Sequence, residues 1–254
     1  MVCKFLNFFK KNILITGASD GIGKEVAKTY FRHGANLLLI GKNREKMNLV
    51  KRSLIRSKKF SQKIENYIFD LSEKNESKYF KLTQKIRRDF PTLDGLVHNA
   101  GILGKISPLI NQTIRSWNKV LQVNLNSVFI ITKFLLPCLL NSKNGSLLFT
   151  TSNVVKDGKK NWSPYSVSKS AIEGLMKTLY QEYQDSSLRI NCINPGAIRT
   201  KMRLQAYPSE SRKDDLKTPG EIMSIYLYLM SDKSIGISGR VFSFDRKSQC
   251  FKPK

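Results

Sequence analysis

Apolar residues along this chain fall into short unbroken runs, separated by longer stretches in which they recur every three or four positions. Runs such as Ile13-Leu14-Ile15 and Leu37-Leu38-Leu39-Ile40 lack the alternation of a half-solvated strand and predict strands buried on both faces, as in a parallel sheet. Strands are expected at 12–16, 36–40, 64–69, 95–98, 146–150, 189–193 and 240–244. Helical periodicity fills the gaps at 22–32, 45–57, 77–89, 114–140, 164–184 and 218–230. Strand and helix alternate without a long linker or an internal repeat. The pattern predicts one α/β domain, a doubly wound sheet of seven parallel strands with helices on both faces.

The first strand runs into Thr16-Gly17-Ala18-Ser19-Asp20-Gly21-Ile22-Gly23 and then a helix. Small residues there allow close approach of a dinucleotide phosphate, and free N–H groups and the helix dipole attract the anion. Gly17, Gly21 and Gly23 would shape the turn; the plain alternative is a tight turn with no ligand. The second strand ends in Gly41-Lys42-Asn43-Arg44, with no acid before Glu45. An acid at that place favours the ribose of NAD, whereas Lys42 and Arg44 would neutralise the 2′-phosphate of NADP. NADP is therefore expected. Asp70-Leu71 closes the third strand, and the Asp70 carboxylate is placed either to accept from an adenine amino group or to serve as a loop or N-cap acid.

Tyr165 follows Ser152 by 13 positions, and Lys169 follows Tyr165 by four. Together with Thr16-Gly17-Ala18-Ser19-Asp20-Gly21-Ile22-Gly23, the segment Asn99-Ala100-Gly101, Asn124, and Asn194-Pro195-Gly196 with Thr200, this set resembles the short-chain dehydrogenase/reductase superfamily over nearly the whole chain. Its Gly-Ala-Ser-Asp-Gly-Ile-Gly turn and His98-Asn99-Ala100-Gly101 segment are most similar to an uncharacterised bacterial oxidoreductase subgroup. The resemblance implies a Rossmann sheet and a cofactor site built from Gly17, Ser19, Asp20, Gly21, Ile22, Gly23, Lys42, Arg44, Asp70, Leu71, Asn99, Ala100, Gly101, Tyr165, Lys169, Pro195, Gly196 and Thr200. It implies a catalytic set of Ser152, Tyr165, Lys169 and Asn124.

The chemistry follows from residue types. Hydride delivered to a carbonyl carbon leaves charge on oxygen, so a proton donor and a fixed hydrogen bond must converge there. Tyr165 would exchange that proton, and Lys169, one helical turn away, would lower a phenol pKa of about 10 and hold the nicotinamide ribose. Ser152 would bind the substrate oxygen. The resemblance gives Asn124 a water linking Lys169 to solvent. Against these stand plain readings: a strand-end hydroxyl, a helix amide and a packed aromatic. Two positions depart from the family pattern. His98 stands where Asn is usual and is expected to satisfy a backbone group, and Phe244-Asp245-Arg246-Lys247 replaces Asp-Gly-Gly, which puts the C-terminal packing in question.

Composition adjusts this picture at a few points. The net charge of +25 invites a polyanion partner, but Lys outnumbers Arg 31 to 13, Asn numbers 18, and the charges are spread along the chain. We read compositional drift and expect neither a specific nucleic-acid partner nor a membrane. Cys3, Cys138, Cys192 and Cys250 lack zinc-type spacing and suit a reduced cytoplasm; no metal is expected. Residues 1–11 lack the apolar core and cleavage site of a secretory signal, and 127–140 falls short of the about 20 residues of a membrane span. Residues 12–200 would form the cofactor and catalytic core. The polar stretch 201–217 reads as a mobile substrate-side segment whose Lys201, Arg203, Arg212 and Lys213 either attract an acidic substrate or are simply solvated. Phe129, Phe134, Leu175, Leu179 and Tyr183 are apolar residues beyond those one sheet face needs, and the resemblance, in which such helices pair across a dimer face, implies a homodimer or homotetramer. A dinucleotide-binding sensor or interaction protein without turnover, and a basic nucleic-acid binder, are the competing classes. The expected substrate is a small carbonyl or alcohol.

Overall fold

A computed structural model describes residues 7–58, 61–212, 216–245 and 250–253. Its strands are β1 (Asn12–Thr16), β2 (Asn36–Gly41), β3 (Ile64–Ile68), β4 (Gly95–His98), β5 (Ser146–Thr150), β6 (Arg189–Asn194), β7 (Val241–Asp245) and β8 (Cys250–Pro253). The helices are α1 (Gly21–Arg32), α2 (Arg44–Arg56), α3 (Glu76–Asp89), α4 (Ile114–Leu121), α5 (Ser127–Leu140), α6 (Val154–Asp157), α7 (Ser163–Tyr183), α8 (Lys201–Ala206) and α9 (Met223–Met230).

The sheet runs β3-β2-β1-β4-β5-β6-β7-β8. Seven strands are parallel, as the aliphatic runs require, and β8 adds an antiparallel edge through the pairing of Phe244 with Phe251. That eighth strand was not expected: Cys250-Phe251-Lys252-Pro253 is too short and polar to signal a buried strand, and only its pairing partner defines it. Arg246 and Lys247, the departure noted after Phe244, lie outside the described residues. Chain direction across the sheet reverses between β1 and β4, and their carboxyl ends open a crevice, the position where doubly wound sheets bind ligands.

Apolar cores cover both faces. One packs α1, α2 and α9 through Val26, Val50 and Tyr226, and the other packs α3, α5 and α7 through Ile86, Leu135 and Met176. The second explains why the surplus apolar residues are mostly not free. Leu179 is buried, Phe134 packs edge-on against Phe80 with ring centroids 5.6 Å apart, and Leu175 and Tyr183 lie against the core. Phe129 alone of the five is exposed, at 49 %.

The helix expected at 114–140 is continuous but not uniform. Between α4 and α5, residues Gln122–Asn126 form a π-helical turn in which the Ser127 N–H reaches back to the Gln122 carbonyl. The whole of Ile114–Leu140 spans 27 residues and is long and apolar enough to cross a membrane, correcting the shorter stretch read from sequence; half of its most apolar window is buried inside the fold.

Candidate active site

The crevice above β1 and β4 encloses about 380 Å³. At its floor the β1–α1 turn takes the backbone conformation that glycine permits: Gly17 and Gly21 have φ of +68° and +53°. A β-carbon on Gly17 would lie 2.8 Å from the Ala100 Cα, and one on Gly23 would lie 2.4 Å from the Gly17 carbonyl oxygen and 2.5 Å from the Asn99 side-chain nitrogen. Thr16 Oγ1 accepts from the N–H groups of Asn99 and Ala100, both at 3.2 Å, which fixes the 99–101 segment against the turn.

Asp20 caps α1, its carboxylate accepting from the Gly21 N–H at 2.9 Å. Its other oxygen lies 3.3 Å from both Lys46 Nζ and Lys201 Nζ. Partial burial disfavours its charge, but the Gly21 N–H and the two ammonium groups outweigh that, and the carboxyl is held below its ordinary range. Two cations against one acid leave this end of the crevice positive. Neither lysine was singled out for this role in the turn; both arrive by tertiary approach, from α2 and from the far side of the crevice.

At the β2 end, Lys42 lines the crevice, whereas Arg44 is the first residue of α2, exposed and away from the lining. Arg44 directly follows Asn43, the N-cap whose side chain accepts from the Lys46 N–H. Asp70 and Leu71 line the same end, beyond β3 rather than within it. Asp70 Oδ1 accepts from the Ser72 N–H at 2.9 Å. Its partial burial is outweighed by Ser72 and then by Lys42 and Lys119, so its carboxyl also sits low. Lys119, Phe69 and Ser72 are lining residues without a sequence signal.

Opposite, Ser152, Tyr165 and Lys169 converge. Thr150 ends β5 and Ser152 lies two residues beyond it, and α7 presents Tyr165 and Lys169 one turn apart on its buried face. Tyr165 is 8 % exposed and Lys169 4 %. Lys169 Nζ donates to the Thr150 carbonyl oxygen at 2.7 Å and lies 5.7 Å from the Tyr165 ring centroid. Burial pulls its pKa down to about 8. Burial likewise raises the Tyr165 phenol, partly offset by a hydrogen bond with Ser152. Lys169 is not among the groups that set this direction; its ammonium is directed at the Thr150 carbonyl. A phenol joined to a hydroxyl, with an ammonium beside it, is a set that can exchange a proton with one oxygen and hold charge developing on it.

Asn124 stands apart from the lining. Its Oδ1 accepts from the Ile102 N–H at 2.8 Å, while Nδ2 donates to the Ile102 carbonyl at 2.9 Å and to Ser168 Oγ at 3.0 Å. It clips the 99–103 loop to α7. A β-carbon on Gly101 would lie 3.5 Å from Asn124 Oδ1 and 3.6 Å from Lys169 Nζ, so both atoms border one small space.

His98 is fully buried on β4, stacked on Phe149 with centroids 5.4 Å apart and Nε2 2.9 Å from Thr132 Oγ1. Its partner is a side chain, not the backbone group expected, because Thr132 projects from α5 onto the strand. Burial, then the Lys169 charge, depresses its pKa to about 3.

Across the crevice, Pro195, Gly196 and Thr200 follow β6 and line the wall. Thr200 Oγ1 accepts from the Arg203 N–H at 3.2 Å and caps α8, so the segment read as irregular begins with a helix. Met202 and Ala206 of α8 pack with Leu103, Val154, Trp162 and Tyr165. Arg203 is bound by both carboxylate oxygens of Glu210 at 2.7 Å. Lys213 and the Arg212 side chain lie outside the described residues. Ser19, Ile22, Asn99, Ala100 and Gly101 line the crevice as expected, and Gly23 supports it from below.

The sequence profile of the family described as short chain dehydrogenase matches residues 11–211. An uncharacterised oxidoreductase of Escherichia coli K12, YciK, is 46 % identical over 230 residues, covering 91 % of this chain and 90 % of its own. A crystal structure of a short chain dehydrogenase from E. coli CFT073 complexed with NADPH superposes with a TM-score of 0.89 at 44 % identity, covering 94 % of this chain and 98 % of that one. One from Shigella flexneri 2a complexed with NADP does so with a TM-score of 0.89 at 43 % identity, covering 94 % and 99 %. With the glycine turn, the Ser-Tyr-Lys convergence and this likeness along almost its full length, the chain belongs to the short chain dehydrogenase family and is an NAD(P)-dependent oxidoreductase of that family.

Proposed function

We propose that this protein is an NADP(H)-dependent oxidoreductase that moves hydride between nicotinamide and a carbonyl or alcohol substrate, with Tyr165 as the general acid and base. The observation that carries the reading is the convergence of Tyr165, Ser152 and Lys169 at one end of a crevice whose floor is the glycine turn. The cradle fits a dinucleotide: a β-carbon at Gly17 or Gly23 would fill it, and the charges of Lys46, Lys201 and Asp20 sum to one positive charge beside the helix N-terminus.

NADP is favoured over NAD because Lys42 lines the β2 end of the crevice and Glu45, the first acid beyond it, does not. Two of the similar structures hold NADP or NADPH, which supports the same preference. Gly17, Ser19, Gly21, Ile22, Asn99, Ala100, Gly101, Pro195, Gly196 and Thr200 would hold the cofactor, and Lys42 its ribose phosphate. When bound, the reduced cofactor supplies the hydride.

For reduction, Tyr165 gives its proton to the substrate oxygen as charge develops there, and Ser152 donates a second hydrogen bond to the same oxygen. Lys169, kept near its ionisation point by burial, stabilises the phenolate that remains. The space between Lys169 Nζ and Asn124 Oδ1 suits one water for reprotonation. Ketone, hydride and proton thus balance to alcohol and oxidised cofactor.

Fluorescence titration of the purified protein with NADPH and NADH, combined with turnover of a carbonyl panel, tests this. We expect NADPH to bind more tightly than NADH, Lys42→Ala to narrow the difference, and Tyr165→Phe to lower kcat/KM by about 10²–10⁴-fold with NADPH binding retained. Failure of either dinucleotide to bind would overturn the reading, and binding without turnover of any carbonyl would favour the sensor class.

A further inference from the structure

The substrate end of the crevice holds a charge arrangement that the oxidoreductase chemistry does not use. Trp162 lines the wall beside Tyr165, ring centroids 5.8 Å apart and edge-on at 74°. Lys159, three residues earlier, is exposed at the rim just outside the lining, with Nζ 4.7 Å from the Trp162 centroid and 4.4 Å from that of Tyr207. The Arg203 guanidinium lies 3.8 Å from the same Tyr207 ring. Aromatic faces attract a cation but do not neutralise it.

Two neighbouring cations among the described residues are already committed. Lys201 pairs with Asp20, and Arg203 takes both oxygens of Glu210. Lys159 forms no ion pair among the described residues. Partial burial and the Arg203 charge press its pKa down, which Glu210 only partly reverses. Lys159, Arg203 and Glu210 together carry one net positive charge. Between that charge and Tyr165 the wall is apolar, formed by Trp162, Met202 and Ala206 against Leu103.

Resting on the oxidoreductase reading, we propose that the substrate is an apolar oxo acid, or the matching hydroxy acid: a carbonyl at Tyr165, a hydrocarbon or aryl body along Trp162 and Met202, and one carboxylate paired with Lys159. Lys159 offers the ligand one ammonium group, which matches the single charge of a carboxylate. The aromatic rings hold the ammonium in place, so less side-chain freedom is lost when the carboxylate arrives.

The test uses the full chain with NADPH and a series of aryl and alkyl γ-, δ- and ε-oxo acids, each beside its methyl ester. The expected result is a kcat/KM about tenfold higher for the acid than for its ester, expressed in KM, with Lys159→Met bringing that ratio to about one. Wild-type protein that reduces acids and esters equally would overturn the proposal while leaving the oxidoreductase reading intact. So would an acid preference that survives in Lys159→Met. NADPH binding with turnover of other carbonyls but of no acid or ester would also overturn the proposal alone, and no turnover of any carbonyl would overturn both.

Discussion

Lys169 donates its ammonium proton to the carbonyl oxygen of Thr150 across 2.7 Å, tying α7 to the end of β5 two residues before Ser152. A buried charge held by one neutral acceptor is costly, and its pKa falls from 10.5 to about 8. Between those values the unfolded chain binds a proton that the folded chain does not, so this group's contribution to stability rises with pH across the window.

Denaturant unfolding of wild type and Lys169→Met from pH 7 to pH 10.5 measures it. The variant should begin ahead, and its advantage should shrink by on the order of 3 kcal/mol as the pH climbs through the window. Parallel curves would show that Lys169 is not strained by burial. In activity, reductive turnover should decline above about pH 8 as Lys169 loses its charge.

His98 gives a slope of the same sign in acid. Its folded pKa of about 3 lies below the ordinary 6.5, so between these values the unfolded chain gains a proton that the buried ring refuses. The stability this contributes is present above pH 6.5 and is lost as pH falls toward 3, at about 1.4 kcal/mol per pH unit. His98→Asn, which cannot titrate, should lose less stability than wild type on acidification. Urea midpoints at pH 7 and pH 4 decide the matter, and equal losses in the two proteins would refute it.

Gly23 supports the crevice without lining it. With a β-carbon there only 2.4 Å from the Gly17 carbonyl oxygen, Gly23→Ala must push the turn apart or shift α1. The expected cost is about 1–3 kcal/mol in urea unfolding, with weakened NADPH binding by fluorescence. An unchanged affinity would mean that the turn does not form the phosphate cradle.

Most of the sheet could be read from its aliphatic runs, because a strand buried on both faces carries the demand in its own side chains. Ser152, Tyr165 and Lys169 were equally legible, since strand-end and one-turn spacings survive folding unchanged. Lys42 and Arg44 look alike in the sequence, and only the fold separates them, Lys42 lining the crevice and Arg44 opening α2 after the Asn43 cap. Lys46, Lys119 and Lys159 left no signal among 31 lysines; each acquires meaning from what approaches it in space. The edge strand β8 was hidden for the same reason, being defined by its partner in the sheet, and α8 because a helix of six residues is too short to show a period.

The π-helical turn at Gln122–Asn126 makes the long helix one residue richer than a regular α-helix crossing the same gap, and Asn124 is held in that surplus. Deleting a single residue there would let the backbone relax into ordinary i→i+4 bonding across the same gap, leaving both flanks in place while the side chains within the turn, Asn124 among them, change direction. The chain is therefore built with an accessible route to a smoother helix in which Ile102, Ser168 and Asn124 no longer meet. Shortening the chain at this point would trade the alignment of its crevice for regularity, so insertion and deletion, more than substitution, are the changes this stretch is least able to absorb.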